Sequence, residues 1–228
     1  MAHWLRTLLP EPVAESLRAW RADRRDARDW RAYRAAPVTP PPHAVKARAV
    51  IEHGRRFGLD MLIETGTYEG EMARKASAHF RRVVTIELDP GLARAAERRL
   101  ARLGNVEVLC GDSARVLPQV LAALREPALF WLDGHFSGVG TARGDTDTPL
   151  AAELEAIARH PVAGHVVLID DARLLGTGEY PSLEAIHRIA GAWRPDGAIE
   201  VADDSLRLTP AAPAHAAAGA MQAVGAGA

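Results

Sequence analysis

The sequence is poor in cysteine and has no long apolar run. Cys110 is the only cysteine among 228 residues, which excludes an internal disulfide and a zinc site built from several cysteines. Cys110 ends an apolar segment, so we expect it to be buried and without a catalytic role. No stretch approaches the roughly 18 apolar residues of a membrane span, and Pro10 and Pro12 interrupt the N-terminal region before a secretory apolar core develops. We therefore expect a cytoplasmic protein without a membrane partner.

The chain also lacks an excess of charge of either sign. Its 28 Lys and Arg residues against 29 Asp and Glu residues give a formal net charge of −1. There is thus no overall electrostatic attraction to nucleic acid, and we expect no nucleic-acid partner. With 48% hydrophobic and 25% charged residues, the composition is typical of one globular domain with extensions.

Four segments differ in composition. Residues 1–36 contain an amphipathic helix whose Trp20 and Trp30 are expected to dock on the domain or across a homodimer. Residues 37–42 form a proline-rich linker, because proline fixes φ and lacks an N–H group. Residues 43–209 form the main domain. Residues 210–228 are mostly alanine, glycine and proline, so we expect this tail to be disordered.

Apolar strands alternate with amphipathic helices through the main domain. After a helix at 43–57, the pattern predicts strands at 60–64, 82–87, 106–110, 128–133 and 165–170, and helices at 71–80, 91–103, 114–124, 150–160 and 182–193. Such alternation predicts a parallel sheet covered by helices on both faces. The segments 198–201 and 206–208 flank an acidic turn and predict a closing hairpin, which makes the last strand antiparallel.

The segment 61–70 organises the rest of the domain. Three apolar residues lead into Glu64, and Gly66 and Gly70 follow at a spacing that allows a tight turn and close approach of a ligand. Glu87 ends the second strand roughly 20 residues later, where a carboxylate binds ribose hydroxyls. Thr67 and Tyr68 stand where a pyrophosphate-binding loop would have further glycines. The pattern therefore indicates a nucleotide-like ligand without a pyrophosphate.

Four segments together, 64–70, 86–90, 111–113 and 117–118, resemble motifs of the class I S-adenosylmethionine-dependent methyltransferases. Within that group the chain most resembles the metal-dependent O-methyltransferases of the catechol and macrocin types, over about residues 60–208. The resemblance implies a Rossmann-like α/β fold with a mostly parallel seven-stranded sheet, an antiparallel last strand and helices on both faces. It also implies S-adenosylmethionine as the cofactor.

The resemblance assigns parts of the cofactor to particular loops. Gly66, Tyr68 and Gly70 would border its aminoacid part, Glu87 its ribose, and Asp112 or Ser113 its adenine edge. Asp112 and Ser113 could equally cap the helix that follows them. The predicted cofactor-binding residues are Glu64, Gly66, Thr67, Tyr68, Gly70, Glu87, Leu88, Asp112, Ser113 and Asp133.

Acidic residues follow the fourth and fifth strands. Because adjacent parallel strands lie about 4.8 Å apart, Asp133, Asp170 and Asp171 can converge on one point. Three carboxylates there repel one another unless a cation neutralises them, and oxygen ligands suit Mg²⁺ or a similar divalent ion. The O-methyltransferases that this chain resembles hold a divalent ion with this pattern of acids. This chain departs from them in having no lysine shortly after Asp133 to serve as the base. The alternative is that Asp171 only caps the next segment.

His135 is the predicted general base, with Asp133 as its catalytic neighbour. An imidazole two residues beyond a metal-binding acid could accept the proton of a hydroxyl, although His135 could also be a polar residue packing its loop. The long glycine-rich loop that begins at Gly134 is typical of a lid or a binding loop. Arg173 and Tyr180 are predicted for the opposing wall.

These features predict methyl transfer to a hydroxyl of a small molecule such as a sugar, a phenol or a natural product, assisted by a divalent metal. One alternative is a metal-independent N- or O-methyltransferase. Another is a non-catalytic protein that binds S-adenosylmethionine or a nucleotide. A dinucleotide or nucleotide-sugar oxidoreductase is disfavoured by the missing phosphate-binding glycines and by the terminal hairpin.

Overall fold

The computed structural model describes residues 11–134, 148–193 and 196–211. His135, the rest of the predicted lid up to residue 147 and the tail from residue 212 lie outside the described residues. The helices are α1 Glu11–Ala35, α2 His43–Phe57, α3 Glu71–Ala76, α4 Pro90–Leu100, α5 Ser113–Ala123, α6 Leu150–Ala158 and α7 Leu183–Trp193. The strands are β1 Met61–Thr65, β2 Arg82–Glu87, β3 Val106–Cys110, β4 Leu129–Leu132, β5 Val166–Ile169, β6 Ala198–Ala202 and β7 Ser205–Thr209.

The strands form one seven-stranded sheet in the order β3-β2-β1-β4-β5-β7-β6. The first five are parallel, and β7 is antiparallel to both of its neighbours. This confirms the predicted mixed sheet with an antiparallel last strand. The strand order reverses between β1 and β4, and ligands of such sheets bind at the carboxyl ends of the strands beside that reversal.

Both faces of the sheet are covered, as predicted. Alternate strand residues such as Ile63 and Phe130 face a core completed by α5, α6 and α7. Their neighbours, such as Leu62 and Trp131, face a second core completed by α2, α3 and α4. Because side chains alternate between the two faces of a strand, strands buried on both faces appear in the sequence as continuous apolar runs.

Gly58 turns the chain from α2 into β1. It ends the helix in the left-handed conformation with φ +63°, and its backbone N–H bonds to the carbonyl of Arg55. Only a short connection follows before β1 begins at Met61, so α2 runs back along the sheet in the opposite direction to β1. Its first turn, which begins at His43, therefore lies at the carboxyl edge of the sheet, where the ligand site is expected.

Polar contacts hold α1 against the domain. The guanidinium of Arg48 lies 4.3 Å from the centre of the Trp30 ring, Lys75 pairs with Asp26 at 2.8 Å, and Tyr33 donates to Asp203 at 2.9 Å. Trp30 thus docks on the domain, whereas Trp20 remains 53% exposed.

Two local expectations were wrong. Cys110 is exposed because β3 is an edge strand with no neighbour on one side. Helix α3 ends at Ala76 instead of continuing to residue 80. The side-chain amide of Asn105 donates to the carbonyls of Ser77 and Phe80 at 2.8 and 2.9 Å, which stabilises a turn there. In the described part of the chain, no helix is both long enough and apolar enough to span a bilayer.

Candidate functional site

The loop between β1 and α3 has an unusual backbone. Gly66, Tyr68 and Gly70 all have positive φ, at 85°, 47° and 72°. The N–H of Gly66 continues the β1–β2 ladder by bonding to the carbonyl of Ile86 at 3.0 Å. A Cβ on Gly66 would lie 2.3 Å from the backbone oxygen of Asp133, so the loop after β1 packs directly on the loop after β4. These are the two loops at the reversal of strand order.

Glu87 joins the same loop to the end of β2. Its Oε2 accepts a hydrogen bond from the Tyr68 N–H at 2.7 Å, and its Oε1 accepts from the Asp89 N–H at 3.0 Å. The residue is buried. Each carboxylate oxygen has a further lone pair, so this fixed carboxylate could also accept from two ribose hydroxyls. Leu88, which follows it, is half-buried.

The hydroxyl of Thr67 has a structural partner. It lies 2.6 Å from the hydroxyl of Thr85 on β2, and both groups are buried. The Thr67 side chain therefore holds the loop against the sheet, and a contact between the Thr67 backbone and the cofactor is compatible with this arrangement.

The turn after β3 lies beside Glu87. The N–H of Gly111 bonds to the Glu87 carbonyl at 2.8 Å. Asp112 accepts from the N–H of Ala114 at 2.9 Å and so caps α5, the alternative role considered for it, and Ser113 is buried behind it. A cap occupies only part of the acceptor capacity of a carboxylate, so Asp112 can still bind a ligand.

Asp133, Asp170 and Asp171 come together, as the strand ends predicted. Each offers one carboxylate oxygen, and these oxygens all lie within 4.8 Å of one another. The N–H of Asp170 bonds to the Leu132 carbonyl at 3.0 Å, which extends the β4–β5 ladder. Asp171 precedes the 3-10 turn Ala172–Leu174, but its side chain makes no capping hydrogen bond. Side-chain capping therefore does not account for Asp171.

Two cations contact this acidic cluster. Lys46 from α2 lies 2.5 Å from Asp170 Oδ2 and 3.5 Å from Asp171 Oδ1. Arg173 lies 2.7 Å from Asp171 and also pairs with Asp204. Burial is the main cause that raises the pKa of Asp170 to about 7, and the charge of Asp133 is the second. Lys46 opposes this shift. The cluster has three carboxyl groups, and only Lys46 and a guanidinium shared with Asp204 oppose their charge. It therefore keeps a net negative charge.

Tyr180 belongs to the same surroundings. Burial, followed by the charges of Asp171 and Asp133, raises the pKa of its hydroxyl above the ordinary value. The loop after β5 therefore brings Tyr180 towards the acids, consistent with the wall predicted for it, and Arg173 contacts the acids directly.

Three residues near these loops were not predicted from the sequence. His43 and Lys46 lie three residues apart in the first turn of α2, and Lys46 and Lys75 are the only lysines in the chain. Because α2 directly precedes β1, its first turn lies at the carboxyl edge of the sheet. This order of elements is the sequence signal that could have identified His43 and Lys46. Glu153 on α6 is buried, and it was recognisable as an acid within the apolar stripe of Leu150 and Leu154.

Four buried oxygens have no hydrogen-bond partner among the described residues. A buried polar atom without a partner is costly. The four oxygens lie towards the carboxyl edge of the sheet but on different faces of it, because Glu64 and Thr65 are consecutive residues of β1. Gly134 lies beside two of them, since a Cβ there would be 3.2 Å from the Thr65 hydroxyl and 3.5 Å from Glu153 Oε1. The four are Glu64 Oε2, Thr65 Oγ1, Glu153 Oε1 and Asp170 Oδ1.

Burial holds two of these carboxyl groups partly protonated near neutral pH. It raises the pKa of Glu64 to about 8, with smaller contributions from the charges of Asp133 and Glu87. Burial also raises the pKa of Glu153 to about 7. Between the ordinary pKa of a glutamate and these values the folded protein holds protons that the unfolded chain releases. These two groups therefore contribute stability that is lost as pH rises through that window.

We accordingly expect the ligand-free protein to lose stability between about pH 6 and pH 8, with Glu64 accounting for about 2 kcal/mol of the loss. The Glu64→Gln variant keeps the shape of the side chain but cannot ionise, so its loss should be smaller by that amount. Urea unfolding across this pH range measures the difference. Parallel pH profiles for the two proteins would contradict the raised pKa of Glu64.

The fold is similar to those of solved methyltransferase structures. An O-methyltransferase from Bacillus cereus in complex with S-adenosylhomocysteine is 18% identical, covers 89% of this chain and 93% of its own, and superposes with a TM-score of 0.55. The O-methyltransferase TomG from Streptomyces achromogenes, involved in tomaymycin synthesis and in complex with S-adenosylmethionine, is 19% identical, with coverages of 82% and 89% and a TM-score of 0.53. The Podospora anserina methyltransferase PaMTH1 bound to S-adenosylhomocysteine is 17% identical, with coverages of 90% and 99% and a TM-score of 0.51.

The amino-acid sequence is similar to known proteins over only a small part of its length. The chain matches no protein-family model. A probable ribosomal RNA small subunit methyltransferase A from Methanosarcina barkeri is 33% identical over 57 residues, which are 25% of this chain and 20% of that protein. The chain thus spans about a fifth of the length of this curated relative.

Proposed function

We propose that this chain, whose fold is that of the class I S-adenosylmethionine-dependent methyltransferases, transfers a methyl group from that cofactor to a hydroxyl of a small molecule. The observation that carries the proposal is the Glu87 carboxylate, buried and held by the Tyr68 N–H at 2.7 Å. It lies at the end of β2, beside the loop of β1 at the reversal of strand order. A carboxylate in this position is suited to the two hydroxyls of a ribose.

The reaction would be a direct displacement at the methyl carbon. The bond from sulfur to carbon breaks, a bond from the acceptor oxygen to carbon forms, and the positive charge of the sulfonium disappears. The hydroxyl proton passes to a base, for which His135 remains our proposal. The protein mainly has to align sulfur, methyl and oxygen and to exclude water. The loops of β1 and β4, packed together at Gly66 and Asp133, would supply that alignment.

We further propose that Asp133, Asp170 and Asp171 hold a divalent cation such as Mg²⁺. Their oxygens lie within 4.8 Å of one another, and the buried Asp170 Oδ1 lacks a partner among the described residues. Oxygen ligands and a net negative charge both fit a hard cation. When bound, such an ion would orient the acceptor hydroxyl and increase its acidity.

A metal-independent methyltransferase is the second candidate, and Lys46 is the observation that favours it. Its ammonium contacts Asp170 and Asp171, so part of the charge that would attract a cation is already neutralised. In this case the carboxylates would bind the acceptor hydroxyl or amine directly, with Lys46 holding them in place.

Magnesium titration of two variants separates the candidates. We expect Asp170→Asn to abolish the binding heat of Mg²⁺, because a ligand charge is lost. Lys46→Met should strengthen Mg²⁺ binding roughly tenfold, because a competing cation is removed. Arg94→Met, at an exposed arginine of α4, is the control for loss of a positive charge away from the three aspartates. If the unmodified protein and Lys46→Met both give no Mg²⁺ heat, the metal site does not exist and the second candidate remains.

The proposed cofactor is tested by calorimetric titration with S-adenosylmethionine and with S-adenosylhomocysteine, each with Mg²⁺ and with EDTA. Micromolar binding of both compounds would support the proposal. A screen of sugars, phenols and other natural products for methyl transfer would then follow. If neither compound binds, the methyltransferase proposal fails and nucleotides become the next ligands to test. Binding without transfer to any acceptor would leave a non-catalytic binding protein.

A further inference from the structure

Lys75 on α3 has three acceptors arranged around its ammonium. The nitrogen lies 2.8 Å from Asp26 Oδ2 on α1, 3.2 Å from Glu71 Oε1 and 3.3 Å from His43 Nδ1 on α2. Only 10% of the side chain is exposed. An ammonium has three N–H donors and no lone pair, so the three contacts can use all of its donors.

These contacts determine the tautomer of His43. Lys75 can only donate, so Nδ1 of His43 must accept and carries no proton. Burial is the main cause that lowers the pKa of His43 to about 4, and the charge of Lys75 is the second. The ring is therefore neutral at physiological pH. The single ring proton therefore lies on Nε2. No hydrogen bond from Nε2 to another described residue is present.

His43 lies between the two parts of the candidate site. It shares the first turn of α2 with Lys46, three residues later on the same helix face, and Lys46 contacts Asp170 and Asp171. On the other side its ring contacts Lys75 of α3, the helix that follows the glycine loop. The charged groups around the ring are Lys46, Glu71, Lys75 and Asp133. Asp26 acts on the ring indirectly, because it pairs with Lys75.

We propose that His43 binds ligand through a fixed Nε2–H donor, and that α1 belongs to the functional unit because Asp26 holds the lysine that fixes this donor. The proposal rests on the proposed methyltransferase function. Its acceptor is an oxygen with a free lone pair, either the carboxylate of the cofactor or the hydroxyl of the methyl acceptor. Since Nε2 already carries the proton, His43 is a donor and not the general base.

The tautomer can be observed without any ligand. In the nitrogen-15 spectrum of histidine-labelled protein, His43 should be neutral and protonated on Nε2 from about pH 8 down to about pH 5. Lys75→Met removes the donor to Nδ1 and should yield a mixture of the two tautomers, and Asp26→Asn should shift the spectrum in the same direction. A proton on Nδ1, or a cationic ring at pH 7, in the unmodified protein overturns the proposal.

Ligand titration tests the other part of the proposal, that His43 donates a hydrogen bond to a ligand. His43→Phe removes the donor and should weaken the affected ligand about fivefold to tenfold, as expected for one hydrogen bond. His43→Gln, whose amide can donate, should restore most of the loss, which a purely structural role would not predict. His187→Phe, at an exposed histidine of α7, is the control. A change in the Kd of S-adenosylmethionine identifies the cofactor carboxylate, and a change only in the KM of the acceptor identifies its hydroxyl.

The two proposals fail in different ways. If His43→Phe leaves both constants unchanged, His43 does not bind ligand even though the protein is a methyltransferase. If the unmodified protein binds neither S-adenosylmethionine nor S-adenosylhomocysteine, the proposed function fails, and the ligand-binding half of this proposal fails with it. The nitrogen-15 spectrum still decides the tautomer in that case.

Discussion

Replacing Glu87 by alanine should weaken the binding of S-adenosylmethionine by about 10³-fold, or about 4 kcal/mol. Two ribose hydroxyls donating to one carboxylate make charge-assisted hydrogen bonds worth about 1.5–3 kcal/mol each. The substitution also removes the acceptor that holds the N–H groups of Tyr68 and Asp89 at 2.7 and 3.0 Å. Both the contact with the ribose and the shape of the loop are therefore lost.

Calorimetric titration measures this loss, and two further variants interpret it. Glu87→Gln keeps one carbonyl oxygen and should fall between the alanine variant and the unmodified protein. Glu97→Ala, at an exposed glutamate of α4, should bind normally. Thermal unfolding without ligand must show that Glu87→Ala is folded. An affinity within about threefold of the unmodified protein would show that Glu87 does not bind the ribose.

Replacing Gly66 by alanine should lower the free energy of unfolding by about 4 kcal/mol or prevent folding altogether. The new Cβ would lie 2.3 Å from the oxygen and 2.7 Å from the carbonyl carbon of Asp133. Both are backbone atoms held by the β1–β4 ladder, where Asp133 N–H bonds to the Thr65 carbonyl at 3.1 Å. The φ of +85° adds the strain of a left-handed conformation.

Gly58→Ala is the matched control for this prediction. Gly58 also has positive φ, at +63°, but a Cβ there meets nothing within 4 Å. It should cost only the conformational strain, about 1 kcal/mol. Urea unfolding of the two variants separates the strain from the collision. Equal losses would mean that the loop moves away from Asp133 easily, and the close packing of the two loops would then not be needed for stability.

The sheet was predictable because its signals are local. Apolar runs at each parallel strand, separated by helices of suitable length, give the same pattern in any chain with this architecture. Strand β7 lies between β5 and β6, and no local pattern in the sequence indicates which strand pairs with which. The expectation for Cys110 was wrong for the same reason, since the position of β3 at the edge depends on the order of strands in space.

The acids of the candidate site were predictable because each follows a strand. Parallel strands end at one edge of their sheet, so Asp133 and Asp170 had to lie along that edge, and they meet because β4 pairs with β5. His43, Lys46 and Glu153 lie on helices, and the destination of a helical side chain depends on how the helix is rotated against the sheet. In the sequence, Lys46 stands between Val45 and Ala47, both buried, which gives no sign that its ammonium reaches the acids.

The scarcity of lysine makes this site chemically addressable. Lys46 and Lys75 are the only lysines in the chain, their side chains are 15% and 10% exposed, and both lie around the candidate site. Apart from the amino terminus, a reagent directed at amines can modify only these two positions. Reductive methylation with isotope-labelled formaldehyde would therefore install two spectroscopic probes next to the site without any mutation. The rate at which each amine reacts would then serve as a footprint of whatever molecule occupies it.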